Sequence, residues 1–138
     1  MNALDTNVFA YACDIKSPLK RTQALDLLSN LDHGVLMWQV ACEFISASRK
    51  TLVAGTEIAE VWNRLSELRG YFPLILPTSG VLDRAAALQK TVGTSYWDSL
   101  LYAACQESGV ARLYSEDLPA ARIAGLEIVN PFSDRLVG

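Results

Sequence analysis

Short apolar segments recur along this chain, separated by stretches with helical patterning, and that alternation constrains the fold more than any other feature. The segments are Ala3-Leu4, Val35 to Trp38, Leu74-Ile75-Leu76, Leu113-Tyr114 and Ile128-Val129. They are short and apolar, as strands buried on both faces of a parallel sheet are. Strands that alternate with helices imply an α/β fold whose parallel sheet is covered on both faces. In such sheets ligands bind beyond the carboxyl ends of the strands, where the strand order switches.

The helical stretches follow from local signals. Residues 2–5 read as a strand running straight into a helix at 6–13. Ser17-Pro18 supplies an N-cap and a proline at the first helical position, predicting a helix to about Leu31 that Asp32-His33-Gly34 stops. Gln39 to Leu52 reads as a helix closed near Gly55. Thr56 caps another from Glu57 to about Arg69, with Glu57 and Glu60 where the helix dipole favours acids. Further helices are expected from Leu82 to Val92 and from Tyr96 to Ser108, with a short one around Ala120–Ala124.

The 138 residues read as one domain, 1–138, of which 51% are hydrophobic and 20% charged, as in globular chains. No apolar run approaches the ~20 residues of a membrane span, and no signal peptide is visible at Met1-Asn2-Ala3-Leu4-Asp5. Cys13, Cys42 and Cys105 are odd in number and lack Cys-x-x-Cys spacing, which argues against structural zinc and disulfides. They read as small core residues of a protein from a reducing cytoplasm. The only histidine, His33, sits in a helix-end turn. Net charge of −3 and a pI near 5.1 do not indicate a general nucleic-acid-binding surface, though nucleic acid remains possible as a substrate.

Four carboxylates stand out. Asp5 ends the first strand and, taken alone, reads as a helix cap or Asx-turn. Glu43 shares a helix face with the apolar Val40 and Ala47, whereas a solvated acid normally sits opposite the apolar stripe. Asp98 opens a helix that is apolar on every side from Leu100 to Cys105, and Ser95-x-x-Asp98 fits a capping box. Asp117 follows the strand at Leu113-Tyr114. Its neighbour Glu116 is placed outside the site, because adjacent residues diverge in direction. Acids converging on one point repel one another and need raised pKa values or a bound cation. Carboxylates suit Mg²⁺ or Mn²⁺, whereas zinc brings His or Cys. A Ser-His-Asp set, a Walker A loop and a Gly-x-Gly-x-x-Gly fingerprint are absent from the sequence.

Leu4-Asp5-Thr6-Asn7-Val8-Phe9-Ala10-Tyr11-Ala12 resembles the opening motif of PIN-domain ribonucleases. Tyr96-Trp97-Asp98-Ser99-Leu100-Leu101-Tyr102-Ala103-Ala104 resembles their third-acid motif, and Leu113-Tyr114-Ser115-Glu116-Asp117-Leu118 their fourth. Glu43, in a helix after the second strand, matches their second acid, and the tail Ile128 to Phe132 is similar to that of many members. Length and tail point to the VapC-type toxins of bacterial toxin–antitoxin pairs. The resemblance implies a three-layer α/β/α sandwich with a short central parallel sheet. It also implies Mg²⁺- or Mn²⁺-dependent endoribonuclease activity, with Asp5, Glu43, Asp98 and Asp117 as metal-binding and catalytic acids. Asn7 and Ser115 would support them, the Ser115 hydroxyl orienting a metal-bound water. The implied partners are RNA, a cognate antitoxin and a second copy of the chain. An acidic-site phosphatase, a phosphoreceiver-like domain and a non-catalytic interaction module are the alternatives. Exposed large side chains that would serve docking are sought among Trp38, Trp62, Leu68 and Tyr71, with Phe44 and Leu65 assigned to the core.

Overall fold

The computed structural model describes residues 1–50, 57–119 and 122–132. Its elements in chain order are β1 (Asn2–Leu4), α1 (Thr6–Ala12), α2 (Pro18–Asn30), β2 (Gly34–Met37), α3 (Trp38–Lys50), α4 (Ile58–Tyr71), β3 (Leu74–Ile75), α5 (Gly80–Thr91), α6 (Tyr96–Glu107), β4 (Arg112–Tyr114), β5 (Arg122–Ile123) and β6 (Leu126–Val129). The sheet order is β3-β2-β1-β4-β6-β5. Every pairing is parallel except that of β5 with β6.

This order decides where the helices lie. The chain steps from β1 to β2 to β3 in one direction, then returns past β1 to β4. Right-handed crossovers therefore put α1 to α4 on one face and α5 and α6 on the other. The packing agrees: α1 lies against α2 and α3, α3 against α4, and α5 against α6. The result is a three-layer α/β/α sandwich, as the strand–helix alternation predicts. Ala3, Leu4, Leu36, Met37 and Leu113 from the strands are buried, with Val8, Phe9, Val40 and Phe44 from one face and Leu101 to Cys105 from the other.

Several expectations are corrected. The helix around Ala120–Ala124 does not form over its described part. Arg122-Ile123 pairs antiparallel with Leu126-Glu127 across Ala124-Gly125, whose φ angles are 45° and 88°. Two consecutive left-handed residues make the primed turn that matches strand twist, and Gly125 adopts it without strain. Ala120 and Ala121 lie outside the described residues, as do the expected helix end at Leu52, the stop at Gly55 and the cap at Thr56. Trp38 opens α3 instead of closing β2. Cys105 is a core residue, but Cys13 and Cys42 are exposed. Cys13 caps the end of α1, and Cys42 points out of α3. Among the described residues no helix is long and apolar enough to cross a membrane.

Gly34 opens β2 where the chain leaves α2. A Cβ there would stand 2.8 Å from Leu31 Cδ2 and 2.8 Å from Phe72 Cε1. Phe72 is buried and packs edge-on against Phe9, so its ring cannot retreat cheaply. Gly34→Ala is expected to cost about 1–3 kcal/mol of stability through overpacking. Urea unfolding should show the lower midpoint.

Candidate active site

The strand order switches between β1 and β4, and both strands end there. Asp5 is the first residue after β1 and Ser115 the first after β4. Ser115 Oγ donates to Asp5 Oδ2 at 2.8 Å, and the Thr6 backbone N–H donates to Asp5 Oδ1 at 2.8 Å. Asp5 thus caps α1 and faces the crevice at once. Only 8% of it is exposed. Burial pushes its carboxyl pKa up. The hydrogen bonds from Ser115 and Thr6 oppose the rise, and the charges of Glu43 and Asp117 add to it.

Glu43, in the second turn of α3, is held from two sides. Thr6 Oγ1 donates to its Oε2 at 2.9 Å and Gln39 Nε2 to its Oε1 at 3.2 Å. Gln39 also reaches the Trp97 carbonyl at 3.1 Å, tying α3 to the start of α6. Thr6 and Gln39 were not singled out from the sequence. Gln39 was detectable, because it stands four residues before Glu43 on one helix face.

Asp98 lies in the first turn of α6, and its backbone N–H meets Ser95 Oγ at 3.4 Å, the expected cap. Asp117 is exposed and accepts from Asn7 Nδ2 at 3.2 Å. Asn7 Oδ1 in turn accepts from the Glu116 N–H at 3.2 Å, so Asn7 latches the loop after β4 onto α1. Glu116 points elsewhere, to Tyr11 Oη at 2.9 Å and Lys20 Nζ at 2.6 Å. Its exclusion from the site agrees with that placement. One expected role changes. The Ser115 side chain is buried, donates to Asp5 and accepts from the Asp117 N–H at 3.2 Å, so it orients Asp5 and not a water in the crevice.

Asp5, Glu43, Asp98 and Asp117 all line one cleft of about 200 Å³, together with Thr6, Asn7, Gln39, Trp97, Leu101 and Leu118. Among the described residues that line it, none is basic. The donors are therefore all oxygen and net negative, the chemistry that suits Mg²⁺ or Mn²⁺. Among the described residues, however, no group of three His, Cys, Asp or Glu side chains is gathered tightly enough to hold a metal ion as placed. The backbone brings the acids to one cleft; the carboxylates do not close round one point. An apolar groove of about 470 Å³ adjoins the cleft, shares Gln39 and Trp97 with it, and includes Trp38 and Cys42 in its wall. Beneath the acids, Tyr102 is fully buried and its hydroxyl pKa is pushed up to about 12, by burial first and then by the charges of Asp98 and Asp5.

Asp5 makes stability depend on pH. Its folded pKa lies above its unfolded value, so its contribution is fully present below the unfolded pKa of 3.8 and is lost as pH rises through the folded pKa. Metal-free Asp5→Asn is therefore expected to unfold at higher urea than wild type at neutral pH. The gap should shrink as pH falls toward about 4. Paired urea titrations across that range check the sign.

Residues 3–126 match the PIN domain family. No curated protein sequence matches the chain. Among solved structures it is similar to FitAcB from Neisseria gonorrhoeae, with a TM-score of 0.68 at 19% identity, covering 96% of this chain and 99% of that one. VapBC2 from Rickettsia felis, bound to a DNA fragment from its promoter, gives 0.67 at 16% identity, with coverage of 92% and 96%. VapC20 from Mycobacterium tuberculosis, described as a sarcin–ricin loop cleaving toxin, gives 0.65 at 13% identity, with coverage of 85% and 90%. These likenesses confirm the fold, and the match over residues 3–126 shows that the chain belongs to the PIN domain family.

Proposed function

We propose that this chain is a Mg²⁺- or Mn²⁺-dependent endoribonuclease and the toxin of a toxin–antitoxin pair. The observation that carries the reading is the cleft itself. Four acids from four separate stretches of the chain line it at the β1/β4 switch, with no basic side chain among the described residues to neutralise them. Asp5, Glu43, Asp98 and Asp117 would hold the cation, which when bound would offset their charge, polarise a phosphodiester and acidify the attacking water. The chain's own part is positioning. Ser115 and Thr6 fix both oxygens of Asp5, and Thr6 and Gln39 fix both oxygens of Glu43. Asn7 holds Asp117 to the same rim.

The toxin reading is supported by the company of the fold: the similar structures include toxin–antitoxin complexes and a toxin that cleaves the sarcin–ricin loop. A cognate antitoxin and a second copy of the chain are the proposed protein partners. Trp38, Trp62 and Tyr71 are exposed, while Phe44 and Leu65 are buried and Leu68 partly so. Such exposed aromatic side chains suit docking surfaces. The rival enzymes fare worse. A haloacid-dehalogenase-type phosphatase wants an Asp at position 7; Asn7 stands there, engaged at both ends of its amide. A receiver wants a Lys after a late strand, and Ser115-Glu116-Asp117 supplies none.

Purified protein incubated with total RNA should cleave it only with Mg²⁺ or Mn²⁺ present, and mapping of the new ends gives the site. Asp5→Asn should lower the rate by more than about 100-fold and relieve any growth arrest on expression alone. Ser115→Ala should lower it by about 10–100-fold, the usual effect of losing the partner of a ligand. Full-rate cleavage by folded Asp5→Asn rejects the assignment. Saturating Mn²⁺ should raise the melting temperature of wild type; at 100 times Kd the gain is about 2.7 kcal/mol. Asp98→Asn should blunt that rise. Sedimentation at roughly 10 μM should give a dimer, and the product of the adjacent gene should suppress cleavage when co-purified.

A further inference from the structure

Among the described residues Tyr102 is the largest fully buried side chain, and its hydroxyl has no hydrogen-bond partner there. A buried hydroxyl left unpaired is unfavourable, and one retained in a core calls for an explanation. A phenylalanine would fill the same space without the cost. Tyr102 stands four residues after Asp98 on α6, the spacing that makes helix side chains neighbours. Between them Leu101 lines the acid cleft. The charges of both Asp98 and Asp5 reach the phenol. The donor is therefore buried on the same helix that gives the cleft Asp98 and Leu101, one turn beyond Asp98. Asp98 is also the acid with fewest restraints: Asp5 and Glu43 each have donors on both oxygens and Asp117 has Asn7, whereas no described side chain donates to the Asp98 carboxylate.

We propose that Tyr102 is a positioning residue of the cleft whose hydroxyl donates across one bridging water to the Asp98 carboxylate from the interior, and so fixes how Asp98 faces a bound cation. The assignment completes a pattern, in which each acid is held by a neutral donor from within the fold. It rests on the nuclease reading for its consequence in catalysis, but not for the Tyr102–Asp98 contact itself. Tyr102 is placed to orient a carboxylate and does not reach the substrate.

Tyr102→Phe removes one oxygen and keeps the ring, so the fold is retained. Without metal the variant should unfold at a slightly lower urea midpoint than wild type, because the bond toward Asp98 is lost. It should bind Mn²⁺ about 10–100-fold more weakly by calorimetry, the range for a lost partner of a ligand, and show a lower kcat with KM for RNA unchanged. A residue that only packs would leave Mn²⁺ affinity and kcat at wild-type values; that result overturns the proposal. A second measurement needs neither metal nor activity. In metal-free protein, the urea midpoints of Tyr102→Phe, Asp98→Asn and the double variant should be non-additive, as for residues in one hydrogen-bonded network. Additive shifts overturn the contact. If wild type binds no Mn²⁺, the cation reading falls, and the metal-free cycle alone then decides whether Tyr102 positions Asp98.

Discussion

The parallel pairing of β1 with β4 is the constraint on which the site depends. Asn2, Ala3 and Leu4 align with Arg112, Leu113 and Tyr114, and the ladder continues one step further, where the Asp5 N–H donates to the Tyr114 carbonyl at 2.8 Å. Ser115 is held in the same way, its N–H bonded to the Val129 carbonyl at 2.9 Å. Asp5 and Ser115 are therefore placed by backbone hydrogen bonds before their side chains meet. A slip of one residue in either strand would turn Leu4 or Tyr114 toward the crevice and carry the acid to the other face.

That placement sets two demands against each other. A carboxylate as buried as Asp5, facing two other acids, is unfavourable for the folded chain. The fold meets part of the cost with hydrogen bonds that also serve local structure. The bond from Thr6 starts α1, the bond from Ser115 ties the end of β4 to the end of β1, and Ser95 starts α6 under Asp98. Asp5 is thus a helix cap and a candidate ligand together, which is why neither reading excludes the other. The remaining repulsion is what a divalent cation would relieve.

Beyond the cleft, a second layer holds the loop that carries Asp117. Lys20 from α2 bonds Glu116 and lies 4.6 Å from the centre of the Tyr11 ring, against which Phe132 packs edge-on at 5.0 Å. Lys20 is open to solvent, so the ion pair itself contributes little. Its effect is directional. Glu116 is drawn outward, and its neighbour Asp117 is left to face the cleft.

The sequence by itself determined the fold class and the four acids. Strand segments too apolar to face water and helices with readable starts leave a covered parallel sheet as the arrangement that buries both strand faces. The order of motifs then marks Asp5, Glu43, Asp98 and Asp117. It misread Arg122-Ile123, where a hairpin partner in β6 and the left-handed Gly125 outweighed local helical preference. It also assigned Cys13 and Cys42 to the core, because cysteine's usual burial says nothing about which face of a helix meets solvent. Only the tertiary structure decided that β1 and β4 are neighbours, that Ser115 serves Asp5 and not the crevice, and that Thr6 and Gln39 hold Glu43. The reason is physical. Burial and helix starts are written within a few residues, whereas these hydrogen bonds join positions as far apart as 5 and 115, and exist only once the crossovers have brought the strand ends together.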